Sequence, residues 1–92
     1  MNNPRFSLGQ TLATPGALAA LEKACKTPAY YLVRHQSGDW GDLCSEDIKE
    51  NELSLRQGFR LLSAYVLPTG VKIWIITERD RSATTVLLPE EY

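Results

Sequence analysis

The single histidine of the chain, His35, stands in the run His35-Gln36-Ser37-Gly38-Asp39-Trp40-Gly41-Asp42, beside two carboxylates and a tryptophan. An imidazole changes charge near neutral pH, so His35 oriented by Asp39 or Asp42 has the makings of a general base or of part of a metal site. Metal sites usually take three or four protein ligands, and this spacing matches no ligand pattern, so neither a metal nor a cofactor is expected. A structural role is the main alternative. It sets His35 favourably near a helix C-terminus, Asp39 or Asp42 as the cap of the next turn, and Trp40 as a plug in the core. A third reading leaves Trp40 exposed for a partner, since tryptophan is enriched at interface hot spots.

A second group of residues lies at Thr77-Glu78-Arg79-Asp80-Arg81-Ser82-Ala83-Thr84-Thr85. Alternating charges of this kind usually form a solvated hairpin tip. Arg79 and Arg81 near the hydroxyls of Thr77, Thr84 and Thr85 could also clamp a carboxylate or phosphate, or contact a protein. No glycine-rich cradle accompanies them, so a nucleotide would lack its usual backbone donors. Ser37, Ser45 and Ser63 have no nucleophile-elbow sequence around them. Cys44 matches a Cys-His-Asp set with His35 and Asp42 in composition only. Both Cys44 and Cys25 read as reduced, buried thiols. Glu46, Asp47, Glu50 and Glu52 read as the solvated side of one helix.

The elements that must position these residues are marked by their start and stop signals. Thr14-Pro15 and Thr27-Pro28 each pair an N-cap residue with proline at the first helical position. The first predicted helix runs through GALAALEKACK, with Leu18, Leu21 and Cys25 as its apolar stripe. The second, AYYLVRHQ, carries Ala29, Leu32 and Val33 on one side and Tyr31 and His35 on another, and stops at Ser37-Gly38. Ser45 caps a third helix, with Glu46 and Asp47 in its first turn, running to about Gln57 and ending at Gly58. Its thin stripe of Ile48, Leu55 and Phe59 predicts a half-exposed surface helix. Residues 1–13 carry weak signals: residues 1–5 are expected to be loose, with Phe6 and Leu8 anchoring the arm.

From Arg60 the periodicity changes to three β-rich runs, RLLSAYVL, VKIWIIT and ATTVLL. Pro68-Thr69-Gly70 joins the first two, with glycine at the left-handed position, and the charged tip joins the last two. Setting Leu67 opposite Val71 and Thr77 opposite Ala83 fixes a register. One face then carries Tyr65, Ile73, Ile75 and Leu87, and the other Leu62, Val66, Trp74, Ile76, Val86 and Leu88. Both faces are apolar, whereas an antiparallel sheet with one wet face alternates. The fold class is therefore α+β, with two to three N-terminal helices followed by a three-stranded antiparallel meander in a single domain spanning 1–92. Either helices cover both faces, or a second copy or another protein meets a sheet face or an edge strand.

Composition narrows the function. With 92 residues the core is small and leaves little room for a deep, dry active site. Ten Lys and Arg against eleven Asp and Glu give a net charge of −1, with no basic excess for broad nucleic-acid binding. The opening residues lack the apolar segment of a signal peptide, and no run is long enough to span a membrane, so a cytoplasmic location is expected.

The strings SGDWGDL, GFRLLSAY, WIITERDRSATTVLLPEEY and FSLGQTLATPGALAALEKA together resemble a family of small uncharacterised bacterial proteins found on plasmids and other mobile elements. The likeness runs from about Phe6 to Tyr92, with Cys25 and Cys44 as departures. Some members carry a label as a type I restriction–modification subunit, but no methyl-donor or nuclease motif fits in this chain. The resemblance implies an accessory or anti-defence factor that binds a host protein, and it puts weight on His35, Asp39, Trp40, Asp42, Asn51, Arg81 and Thr84. The expectation is a non-catalytic protein-binding module, with Trp40, Arg79, Arg81 and an apolar sheet face carrying the contact. The alternative is a small enzyme or an anion- or metal-binding domain using His35, Asp39, Asp42 and Arg81.

Overall fold

Thr14 and Thr27 start helices as their chemistry dictates: the Thr14 hydroxyl accepts the Ala17 N–H at 3.1 Å, and the Thr27 hydroxyl accepts that of Tyr30 at 3.4 Å. The computed structural model describes residues 4–92. Its elements are β1 (Gln10–Ala13), α1 (Pro15–Lys23), α2 (Pro28–Gln36), α3 (Ser45–Gln57), β2 (Leu61–Val66), β3 (Lys72–Thr77), β4 (Ala83–Leu87) and a closing 3₁₀ turn (Pro89–Glu91). The α+β class holds, but the sheet differs from the expected meander. It has four strands in the order β1-β4-β3-β2, and β1 runs parallel to β4. A four-residue strand with no β-branched run beyond Thr11 leaves almost no period-2 signal, and its partner lies at the far end of the chain.

The β2–β3 register pairs Val66 with Lys72, as the Leu67–Val71 turn requires. The β3–β4 register pairs Thr77 with Thr84, one residue away from the expected Ala83. Arg81 takes a left-handed conformation at φ 61° in the turn, and the Glu78 N–H bonds the Ala83 carbonyl at 3.0 Å. No glycine or asparagine advertises that turn. The slip exchanges the faces of β4: Thr84 and Val86 point inward, and Leu87 points outward.

The inner face packs on α1 and α2. Ala17, Leu21 and Ala24 of the first helical region and Tyr31 of α2 meet Tyr65, Leu67, Ile73, Ile75 and Val86. Leu18 and Cys25, expected in the stripe, are exposed instead, because Ala17, Leu21 and Ala24 form the true i, i+4, i+7 row. In α2 the buried pair is Tyr31 and His35, while Val33 faces solvent. Both cysteines are free and exposed, so the expectation of buried thiols does not hold. α1 ends at Lys23 because Cys25 turns left-handed (φ 56°) and the Lys26 N–H folds back onto the Leu21 carbonyl at 2.9 Å.

Met1–Asn3 of the arm expected to be loose lie outside the described residues. Arg5 is anchored: its N–H donates to the Gln36 carbonyl at 2.8 Å. Its guanidinium forms a two-pronged ion pair with Glu52 at 2.9 and 3.0 Å. Among the described residues no helix is long and apolar enough to cross a membrane.

Cys25 pays the steric cost of a left-handed L-residue without burial in return. Cys25→Gly is therefore expected to raise unfolding stability by roughly 0.5–1 kcal/mol, read from the midpoint of urea denaturation.

Candidate functional site

β2 ends the sheet, so Leu62, Ala64 and Val66 turn their backbone groups away from β3. Left unpaired, such a row is both costly and open to another chain. The segment after α2 closes it. The Ala64 N–H donates to the Trp40 carbonyl at 3.2 Å, and the Ala64 carbonyl accepts the Asp42 N–H at 2.6 Å. The Asp42 carboxylate accepts the Val66 N–H at 2.9 Å. Gly41, at φ 76°, makes this approach feasible, because a Cβ there would overlap the Ala64 carbonyl and the Tyr65 ring. Asn51 of α3 completes the edge: its Oδ1 accepts the Leu62 N–H at 3.1 Å and its Nδ2 donates to the Leu62 carbonyl at 2.6 Å. A primary amide offers the same donor and acceptor as a peptide unit, so Asn51 stands in for a neighbouring strand. This explains why α3 buries Asn51 and Ser54, while Ile48 and Phe59 of its expected stripe stay at the surface.

Trp40 is buried at 3% exposure, and its Nε1–H donates to Glu52 at 2.9 Å. Glu52 thus joins the arm, the loop and α3, and the Arg5 guanidinium beside it holds its carboxyl below the usual range. Asp39 accepts from Arg34 at 2.7 Å and from the Gly41 N–H at 3.2 Å, and the Arg34 bond depresses its carboxyl likewise. The Tyr65 hydroxyl donates to the Asp39 carbonyl at 2.5 Å.

His35 is fully enclosed, with Phe6 and Trp40 edge-on to its ring at 5.2 and 5.7 Å between centroids. Its Nδ1 lies 2.5 Å from the Ser63 hydroxyl and its Nε2 2.9 Å from that of Thr77. Thr77 is 2.8 Å from Thr84, whose hydroxyl donates to the Leu8 carbonyl at 2.7 Å. Each hydroxyl has one proton, and a carbonyl can only accept, so this end dictates the whole chain. Thr84 gives its proton to Leu8, Thr77 gives to Thr84, and His35 must give Nε2–H to Thr77. Nδ1 is then left to accept from Ser63. Burial, helped by the nearby charge of Arg81, pushes the His35 pKa down to about 3 and keeps the ring neutral.

Arg81, expected as an anion clamp, is held by backbone. Its Nη1 donates to the carbonyls of Phe59, Glu78 and Arg79 at 2.7, 3.0 and 3.2 Å, and its Nη2 to that of Ser54 at 3.1 Å. The guanidinium also lies over the Phe6 ring at 5.8 Å. Burial lowers its pKa. Arg79 is exposed at the tip, and its guanidinium has no hydrogen bond or ion pair among the described residues. The fold therefore brings His35, Trp40, Arg81 and Thr84 together, and Asp39, Asp42 and Asn51 beside them, as fastenings of the arm, loop and α3 to the sheet. His35 and Trp40 present no surface to a substrate or partner. Among the described residues no three His, Cys, Asp or Glu side chains gather as a metal site.

The open chemistry lies elsewhere, on the outer face of the sheet. Arg60, Leu61, Leu62, Trp74, Ile76 and Tyr92 line a cleft of about 330 Å³. Tyr92 meets Trp74 edge-on at 5.9 Å, and the Arg60 guanidinium donates to the Tyr92 hydroxyl at 2.9 Å. The two apolar faces read from the strand pattern contained this signal for Leu62, Trp74 and Ile76; the reach of Tyr92 and Arg60 had none. No known family, curated protein or solved structure matches this chain.

Two expectations follow. Asn51→Asp sets a carboxylate oxygen against the Leu62 carbonyl, and should cost about 2–4 kcal/mol in urea unfolding at pH 7. The gap to wild type should narrow on acidification, when the new carboxyl regains a proton to donate. For His35, the folded pKa lies below the unfolded value of 6.5. Its contribution is thus intact above about pH 6.5 and is lost as pH falls toward 3, because protons then favour the unfolded chain. Nitrogen-15 NMR should report an Nε2–H tautomer that does not titrate between pH 7 and 5.

Proposed function

We propose that this chain is a non-catalytic protein-binding domain whose contact surface is the outer face of the sheet around Trp74. The observation that carries the reading is the cleft between Trp74, Leu62, Ile76 and Tyr92, with Arg60 at its rim. Trp74 and Leu62 are only half-buried, and Tyr92 is 69% exposed. Tryptophan, tyrosine and arginine are the side chains that most often dominate binding energy, and a cleft bordered by all three suits an apolar anchor from a partner. Leu12 and Val66 extend the same face as exposed apolar side chains.

The mobile-element context implied by the resemblance accords with this reading: an accessory or anti-defence factor would work by occupying a host protein's surface. The partner is another protein or a second copy of this chain. The enzymatic alternative has less support, because His35 is enclosed and the guanidinium of Arg81 is engaged by four carbonyls.

Leu62→Glu and Trp74→Lys test the surface, with circular dichroism to show that each variant remains folded. Protein retained from a bacterial lysate by the immobilised wild type should fall about tenfold or more with either variant. Self-association, if that is the form binding takes, should fall equally in sedimentation. Retention and sedimentation unchanged in both folded variants would overturn the reading.

A further inference from the structure

The sheet has two edges, and the chain treats them differently. At β2 five of the six outward backbone groups of Leu62, Ala64 and Val66 are taken up by Asn51, Trp40 and Asp42. At the opposite end, β1 has β4 as its single strand neighbour. The Gln10 N–H bonds Ser82 at 2.9 Å and the Thr14 N–H bonds Val86 at 3.0 Å, so the even-numbered positions face β4. In a parallel ladder the alternate residues face the other way. The N–H and C=O groups of Thr11 and Ala13 therefore point outward, with no strand partner among the described residues. Natural edges are blunted by charge, proline or a bulge, and Gln10-Thr11-Leu12-Ala13 contains none of these.

Beside this edge lies a cleft of about 200 Å³, lined by Thr11, Leu12, Ala13 and Val86 on the sheet side and by Pro28 and Leu32 of α2 on the other. We infer that this groove between β1 and α2 binds an extended peptide segment of another protein, which adds to the sheet as a fifth strand and seats one bulky aliphatic side chain in the cleft. The backbone groups of Thr11 and Ala13 supply up to four hydrogen bonds, the usual source of affinity in strand addition, and the pocket supplies selectivity. Side chains alternate along a strand. The residue opposite Ala13 or Thr11 therefore points to the inner side, into the cleft, and its neighbours pass Leu12 on the outer side.

A second copy fits less well. Two β1 strands related by a two-fold axis at Leu12 would pair Thr11 with Ala13 and satisfy the same groups. The side chains they would then direct to the cleft are threonine and alanine, too small to fill a space that suits Leu, Ile or Met. This site shares only Leu12 with the outer face around Trp74, and neither inference depends on the other.

The test is selection of a random decapeptide library against the full chain, followed by NMR of the protein with an enriched peptide made synthetically. Enriched sequences should share one Leu, Ile, Val or Met among β-forming residues. Peptide should slow hydrogen exchange at the amides of Thr11 and Ala13, which should exchange fast in the free protein. Thr11→Pro removes one outward N–H at an edge position where proline is tolerated, and should weaken binding about tenfold while the spectrum stays folded. Replacing the peptide's aliphatic residue by alanine should do the same. Three results would overturn the inference: no enrichment, binding that leaves the Thr11 and Ala13 amides unprotected, or protection of those amides by dimerisation of the free chain in sedimentation.

Discussion

A strand at the end of a sheet offers alternate N–H and C=O groups to whatever lies beside it, and in this chain the outer row of β2 sets most of what surrounds it. Three residues receive five bonds there, and they come from a carbonyl and an N–H of the loop after α2, one carboxylate and one side-chain amide. That requirement accounts for a glycine at Gly41, for an acid at Asp42 and for an amide in the middle of α3. It also accounts for the weakness of α3's apolar stripe, since the helix meets an edge that needs polarity and not a face that needs burial. The Arg5–Glu52–Trp40 cluster then holds loop, helix and arm in one arrangement. The exposed Arg5–Glu52 pair is worth little by itself. Its value lies in what Glu52 orients.

Inside the sheet the polar residues follow a different logic. Ser63, His35, Thr77 and Thr84 form a single line of hydrogen bonds whose direction is dictated at one end by the Leu8 carbonyl. Among the described residues no buried side-chain donor or acceptor lacks a partner. A fully satisfied chain of this kind costs little stability and admits few rearrangements, because reversing one proton would leave two acceptors or two donors facing each other. It also fixes the β3–β4 register, since only Thr84, and not Ala83, can receive the Thr77 proton. Arg81 reinforces that choice by spanning the end of α3, the start of β2 and the hairpin.

Much of the framework could be read from the chain. Thr-Pro starts, the Ser37-Gly38 and Gly58 stops and the Pro68-Thr69-Gly70 turn each express a local preference, and all three helices and three of the four strands follow. What escaped reading depended on distant partners. β1 is a strand because β4 lies beside it, and the helix stripes were misjudged where the neighbour was an edge, as with α3, or where small alanines formed the contact, as with α1. The fold gathers nearly all of the residues singled out for chemistry, and their polarity serves the architecture. An imidazole between two hydroxyls and an imidazole beside a substrate look the same in a sequence. The surfaces left open, around Trp74 and along β1, are apolar and carry no motif.

Pairing β1 with β4 has a consequence for how the molecule is made. The Leu8 carbonyl and the Thr84 hydroxyl that it receives are 76 positions apart, so the sheet can close only after β4 has been made. Until β4 leaves the ribosome, the polar line through His35 has no terminus and β1 has no neighbour. Contacts of such long range form late and slowly. The arm and β1 thus form a clasp that has nothing to fasten to until β4 is in place.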